Sequence, residues 1–505
     1  MHLRNLSQKT HLLVLILLVF GICILRALHL SFVDLPLFFD ESQYFGWAQN
    51  LDFGFYSKPP MVALMIAGTT AFCGDMEACV RISSPILHSL TAILIYLLAS
   101  KHYTLKIGIL SSLTYLTLPA VGLSSSLVST DPSLLFFWSL ALYSFDRAMD
   151  APKNLFFWIL AGIASGLGLQ SKYTMILFIP SVLLYLKFDN KLIDVVKKQG
   201  FWLACILAFL VFLPNLWWNA SSGFVSFLHT RDNADLSADW FNPDQFFVFL
   251  MSQFGVFGPI LFGTLLVLIT RFLVSKTASS KKDKLWFSFI VPFFMVILLV
   301  SFLSRAHANW AAPIYIAATI WVSATLYQYV PKIFYTSLMI HIILLVSFWS
   351  LPFLLPHAPI ELTGRTTDFS QSPIKIKDPF RRLRGWDQLG AEVQTWMDNY
   401  PEYHVLTVSR KTHAALLYYT DAGDQLVKWN SNQRINDHYE LTTFVRKNQP
   451  YLLIIEWSNP RSVLDHFNRY EYKGDIVIPL YSDFSRSYKV YTVDDIQETY
   501  AHQKN

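Results

Sequence analysis

Long apolar runs fill the first 355 positions of the chain, each followed by a short polar break. A helix crosses the hydrocarbon core of a bilayer with about 20 mostly apolar residues. Runs near that length predict eleven spans, at 11–31, 80–100, 105–122, 131–148, 155–171, 173–189, 200–219, 254–273, 285–303, 308–328 and 333–354. The breaks around Lys172 and Arg305 are the shortest. Residues 242–253 read as an amphipathic entry lying at the interface. The pattern changes after residue 356. Segments 386–399 and 412–419 carry helical spacing, 404–408, 451–456 and 489–492 read as strands, and 463–470 offers one more helix. The expected architecture is a polytopic α-helical membrane part, 1–356, with a long first outer loop, 32–80, followed by a soluble α/β domain, 357–505.

Composition sharpens this division. Of 505 residues, 53% are apolar and 15% charged, against about 25% charged in an average soluble domain. The net charge of +5 is spread over short breaks, not one stripe. That excludes a nucleic-acid footprint. With the N-terminus in the cytoplasm, Lys187, Lys191, Lys197, Lys198, Lys281, Lys282 and Lys284 fall on the cytoplasmic side, and far fewer cations fall opposite. An odd number of spans then places the tail outside, in the periplasm if the source is a bacterium. The first run is long, contains Arg26 and lacks a small-x-small site, so it reads as a retained anchor rather than a cleaved signal. Cys23 and Cys205 sit in apolar runs as small hydrophobes. Cys73 and Cys79 flank a short loop, where a disulfide and two free thiols are both open readings, and no zinc spacing occurs.

The expected topology brings scattered polar residues to one outer face. Asp40-Glu41 opens an aromatic-polar helix with Tyr44 and Trp47, and Lys58-Pro59-Pro60 follows. Arg81, Asp131, Lys172, His229, Arg231, Arg305, His307 and Trp310 come from later outer loops. Ionisable groups at a membrane edge are costly unless paired or functional. Carboxylates can deprotonate an incoming hydroxyl or amine, and cations can stabilise a departing phosphate. Such a set suits transfer of a group from a lipid phosphate. Each residue also has a plainer reading. Asp40 and Asp131 suit helix N-caps, Glu41 a first-turn dipole partner, Lys58 a snorkelling lysine and Trp310 an interfacial anchor. Arg81 can simply flank a span, and His229, Arg231, Arg305 and His307 can be solvated loop residues.

The order Asp40-Glu41, Lys58-Pro59-Pro60, Arg81, Thr130-Asp131-Pro132, Gly168-Leu169-Gln170-Ser171-Lys172-Tyr173 and Asn309-Trp310 with Pro313 resembles the bacterial members of glycosyltransferase families 39 and 83. These are C-type (GT-C) integral-membrane glycosyltransferases, related to protein mannosyltransferases and to the lipid A aminoarabinose transferase. Gly385-Trp386 with Leu389-Gly390 in the tail resembles them too. The resemblance implies a polyprenyl-phosphate sugar donor, a lipid or glycan acceptor such as lipid A, and an inverting transfer at the outer face of the inner membrane. It implies that Asp40, with Glu41 beside it, is the catalytic carboxylate. Lys58 and Lys172 would lie near the donor phosphate, Asp131 would be the second loop carboxylate, and His229 would follow the seventh span. Tyr44, Arg81, Arg231, Arg305, His307 and Trp310 complete the expected substrate-binding set. Ser57 stands where the aminoarabinose transferase has a glutamate, so no bound metal or other cofactor is expected, although a divalent ion is left open. The alternatives are a protein O-mannosyltransferase, a transporter or flippase of a lipid-linked substrate, and an assembly protein whose tail binds partners.

Overall fold

The computed structural model describes residues 2–234, 242–275, 280–370, 372–430, 432, 434–456 and 459–497. Contacts divide the chain into two compact units, Met1–Phe32 with Lys58–Ser350, and Val33–Ser57 with Leu351–Asn505. The expected loop 32–80 is thus shared between units, changing over at Lys58.

The first unit is helical. Among the described residues, five helices are long and apolar enough to cross a membrane, or six if the bent pair Pro243–Phe257 and Pro259–Val274 counts as one span. The remaining expected spans appear as shorter or more polar helices, and the sequence explains several breaks. The run 105–122 is divided at Leu118, whose extended backbone precedes Pro119; the ring of a proline disfavours helix at the residue before it. The run 254–273 turns by 117° at Gly258. That glycine has φ +91°, and a Cβ there would lie 2.0 Å from the ring of His341, so only glycine makes this corner. Segment 242–253 therefore belongs to a helix set at a steep angle to the next one.

Large apolar side chains such as Leu17, Phe20, Phe209, Leu210, Met339 and Ile343 are exposed on the longest helices. In water such faces would drive aggregation; in a bilayer they are the solvent-facing side. The interior instead holds Trp138, Trp158 and Trp286 with many small polar residues, including Ser111, Ser139 and Ser144. Helices Leu155–Ser171 and Gln199–Ser221 approach closely because Gly162 and Gly166 lie on one face. A Cβ on Gly162 would meet the Ala204 carbonyl at 2.5 Å. This small-xxx-small stripe replaces the hydrophobic drive that lipid removes. Cys73 and Cys79 are joined in a disulfide.

The second unit is α/β. Strands β1 (Ile360–Thr363) and β2 (Ile374–Lys377) form a parallel pair. Strands β3 (His404–Thr407), β4 (Leu426–Lys428), β5 (Tyr451–Glu456), β6 (Phe467–Tyr481) and β7 (Phe484–Ile496) form one sheet in the order β4-β3-β5-β7-β6. β3 is parallel to β4 and β5, while β7 is antiparallel to β5 and β6. Helix Trp386–Asn399 buries Leu389, Val393 and Met397 at helical spacing. The expected elements 386–399, 404–408 and 451–456 appear almost residue for residue. Region 463–470 instead holds a short helix, Arg461–Leu464, and then the start of β6.

Candidate active-site residues

In the first unit, Asp131 organises the site. Helix Thr130–Asp150 is capped by Ser129, whose Oγ accepts from the Asp131 N–H at 3.3 Å. The Asp131 carboxylate is therefore not needed as the cap. Lys172 Nζ donates to its Oδ1 at 2.7 Å, and Asn309 Nδ2 donates to its Oδ2 at 2.6 Å. Lys172 reaches it because helix Leu155–Ser171 stops there and Lys172 itself is extended, φ −161° and ψ 135°. Tyr173 fixes that break: its hydroxyl shares hydrogen bonds with Asn215, Asn219 and Ser226. Lys58 lies within electrostatic reach of Asp131 and His307.

His307 precedes the 3₁₀ turn Ala308–Ala311 and meets Trp310 edge-on at 5.5 Å. Burial, and then the positive charges of Arg305, Lys172 and Lys58, hold its imidazole below the usual histidine value. Among the described residues, Arg305, Lys172 and Lys58 thus act on His307, and Lys172 and Lys58 on the buried Asp131 carboxylate. This gathering of positive charge suits an anionic ligand.

Beneath Asp131 lies a buried polar layer that the sequence reading left unassigned. His88 meets the Tyr115 hydroxyl at 2.8 Å and Ser124 Oγ at 3.0 Å, and Arg26 and Asp131 both act on it electrostatically. Arg26 is itself buried, donating to the Leu116 carbonyl at 2.5 Å. Arg81 is buried at the end of the short helix Glu77–Arg81. His229 and Arg231 have other near partners. Asn233 contacts the His229 ring at 2.8 Å, and Arg231 forms an exposed ion pair with its neighbour Asp232.

The second unit holds Asp40, Glu41 and Tyr44 on helix Phe39–Gln49. Glu41 Oε2 accepts from the Phe38 N–H at 2.9 Å, which closes the first turn. Asp40 is free of that duty. Its Oδ1 accepts from Arg410 Nη1 at 2.9 Å, and the same nitrogen donates to Gln43 Oε1 at 2.6 Å. The Arg410 guanidinium also lies 5.1 Å over the Phe39 ring. Arg410 begins helix Arg410–Tyr419, against which helix Phe39–Gln49 packs. Phe45 meets Tyr418 edge-on at 4.8 Å, and the Tyr419 hydroxyl accepts from the Leu37 N–H at 2.7 Å. Tyr44 is buried against Trp47 at 5.2 Å. Arg410, Gln43 and Asn309 were not among the expected site residues. Asn309 was visible as part of a motif; nothing in the sequence singled out Arg410. Among the described residues, no group of three or more His, Cys, Asp or Glu is placed to hold a metal ion.

Helices with an outward apolar surface and an α/β unit recur together in a solved structure. A solved structure of ArnT from Cupriavidus metallidurans, bound to undecaprenyl phosphate, has this fold, with a TM-score of 0.63 at 12% identity over 97% of this chain and 99% of that one. Residues 57–218 match the family described as dolichyl-phosphate-mannose-protein mannosyltransferase. More specifically, the chain is 33% identical to the lipid A galacturonosyltransferase RgtD of Rhizobium johnstonii, over 63% of its own length and 66% of that relative's. It is also 27% identical to an undecaprenyl phosphate-α-4-amino-4-deoxy-L-arabinose arabinosyl transferase of Pseudomonas aeruginosa, over 40% of this chain and 39% of that one.

Proposed function

We propose that the protein transfers a sugar from a polyprenyl-phosphate donor to lipid A or a related envelope glycan, with inversion, at the periplasmic face of the inner membrane. The observation that carries this reading is the grouping of Lys172 and Lys58 around Asp131, with the same two lysines and Arg305 acting on His307, in the first unit. It has the chemistry to receive a lipid phosphate. Lys172 and Lys58 neutralise the leaving phosphate, and Asp131 with Asn309 holds Lys172 in place. Asp40 takes the proton of the acceptor hydroxyl as its oxygen attacks the anomeric carbon. The carbon–oxygen bond to phosphate breaks, and polyprenyl phosphate leaves as an anion, so no general acid is required. The role of Asp40 is supported by its match to the family's first-loop carboxylate, and Arg410 orients that carboxylate. Similarity to a lipid A galacturonosyltransferase favours a lipid A acceptor over a polypeptide. The alternating loop charges support a cytoplasmic N-terminus and a periplasmic tail.

The test is transfer from a labelled lipid-linked sugar in membranes carrying Asp40→Asn or Lys58→Ala. Both variants should lose transfer by at least about a hundredfold, the scale of positioned acid–base and electrostatic groups. Full transfer by both would overturn the assignment.

A further inference from the structure

A groove of about 370 Å³ opens on the apolar outer surface of the first unit. Helices Leu155–Ser171, Phe178–Phe188 and Gln199–Ser221 form it. The first and third pack closely on each other, while Phe178–Phe188 packs mainly against Lys281–Ser288 and Val291–Leu303. That divergence leaves a slot between the three. Its lining can be reached from the bilayer: Ile176, Ile179, Leu183 and Phe209 are each at least 40% exposed.

The lining selects hydrocarbon. Its two strong hydrogen-bonding side chains are already satisfied. The Ser165 hydroxyl donates to the Ala161 carbonyl at 2.8 Å, and the Trp158 indole donates to the Pro152 carbonyl at 3.1 Å. A polar ligand would lose water there and gain no partner. From Trp158 to Leu169 the groove follows its helix for about 16 Å, at about 1.5 Å per residue. That is about the depth of one leaflet, half of a hydrocarbon core of about 30 Å.

Charge marks one end. The Trp158 ring meets Phe201 at 6.5 Å, and Phe145 meets both Trp158 and Tyr185 edge-on. The start of the first helix, the end of the second and the start of the third therefore lie together. Each brings lysine to that end. Lys187 follows the groove residue Leu183 by one turn on the same face, and Lys197 and Lys198 precede Phe201 by one turn. Lys153 lies in the turn before the first helix. All four are exposed, and among the described residues none enters an ion pair. Lys191 is paired with Asp189 at 3.2 Å, which leaves Asp194 as the other carboxylate of segment 187–198. Loop lysines orient a membrane protein wherever they lie on one side. Their gathering at the end of an open apolar groove is a second property.

We propose that this groove is a binding site for an anionic phospholipid. One acyl chain fills the slot, and the phosphate lies over Lys187, Lys197 and Lys198. Lysines near a membrane surface attract acidic lipids in this way. The lysines stand at the end opposite Lys172, so this lipid belongs to the other leaflet and is not the proposed sugar donor. The site does not depend on sugar transfer.

The test is native mass spectrometry of the full-length protein from detergent, titrated in parallel with dioleoyl phosphatidylglycerol and dioleoyl phosphatidylcholine. One retained phosphatidylglycerol per protein is expected. It should bind at least about fivefold more tightly than the zwitterionic lipid, the scale of one lysine near a membrane surface. The triple variant Lys187→Ala, Lys197→Ala, Lys198→Ala should lose that preference. Cys205→Trp, which fills the groove from an exposed position on its wall, should weaken both lipids. Melting curves of both variants confirm that they fold. Equal binding of the two lipids by the unaltered protein would overturn the proposal, as would unchanged phosphatidylglycerol binding in both folded variants. Undecaprenyl phosphate is the third probe. If Cys205→Trp lost that lipid and kept phosphatidylglycerol, the groove would hold the donor's tail and the proposal would fall.

Discussion

Arg410 Nη1 lies 2.9 Å from Asp40 Oδ1, although 370 positions separate the two residues in the chain. The same nitrogen also bonds Gln43, so the guanidinium is anchored to two side chains of one helix. A carboxylate held this way has its direction set before any acceptor arrives. Arg410→Ala is expected to lower kcat by about ten- to a hundredfold with little change in KM for the donor, as for loss of a positioning group. Arg410→Lys should recover only part, because the ammonium lacks the planar guanidinium that lies over the Phe39 ring. Steady-state kinetics on purified protein checks the kcat and KM split; equal effects on both variants' melting but none on kcat would count against positioning.

Asp131 and Lys172 form a largely buried pair at 2.7 Å. Removing one partner leaves the other charged and desolvated. Asp131→Asn or Lys172→Met alone should therefore destabilise the first unit by about 3–5 kcal/mol, and the double variant by less than the sum. Thermal melts of all four proteins in one detergent close the cycle. Additive losses would show that the two residues act separately.

His307 gives the proposed donor site a pH signature. Burial and its three cationic neighbours keep it neutral below the ordinary 6.5. A bound phosphate brings negative charge and raises that value, so binding takes up a proton. Affinity for undecaprenyl phosphate should then fall as pH rises through the window between the free and bound values, by at most about tenfold per pH unit. The phosphate's own second ionisation, near pH 6, gives an opposing trend. Comparison with His307→Gln separates the two: the variant should lose only the histidine component. Identical pH profiles would rule that component out.

In the second unit, burial pushes His438 down to about 4 from 6.5. The unfolded chain then binds a proton more readily than the folded one between these values. Stability linked to this group is complete above about pH 6.5 and is lost as pH falls toward 4. Melting of the second unit should drop over that interval, and His438→Asn should flatten the curve. A profile of the same slope in the variant would assign the acid sensitivity elsewhere, with buried His413 the next group to replace, since burial also lowers its value.

The sequence made the first-unit cluster readable because its members sit in short motifs between apolar runs. Asp131 and Lys172 stand out as charges where charge is costly. Their direct bond to each other is a tertiary fact, and so is the release of Asp131 from capping by Ser129. Arg410 was invisible for a different reason. It opens an ordinary helix in a soluble unit, where a surface arginine needs no explanation, and its partner lies in a loop read as part of the membrane portion. The hairpin of β6 and β7 was under-read because charged residues interrupt both strands and the register slips between Tyr472 and Gly474. The breaks at Pro119 and Gly258 were missed, since the expected spans 105–122 and 254–273 run through them, although each residue carries the physical reason for its break.

The second unit is assembled from two separated pieces of chain, Val33–Ser57 and Leu351–Asn505. The helix bearing Asp40 leaves the ribosome 370 residues ahead of the arginine that anchors it. At about 5–20 residues per second, that is an interval of about 20–70 s. Throughout it Asp40 lacks its fixed partner, and Trp47 lacks the wall that encloses it. The nascent chain therefore gains an oriented Asp40 only after its last membrane helix has been synthesised. A chain cut before Arg410 would still carry helix Phe39–Gln49 but not the side chain that fixes the direction of Asp40.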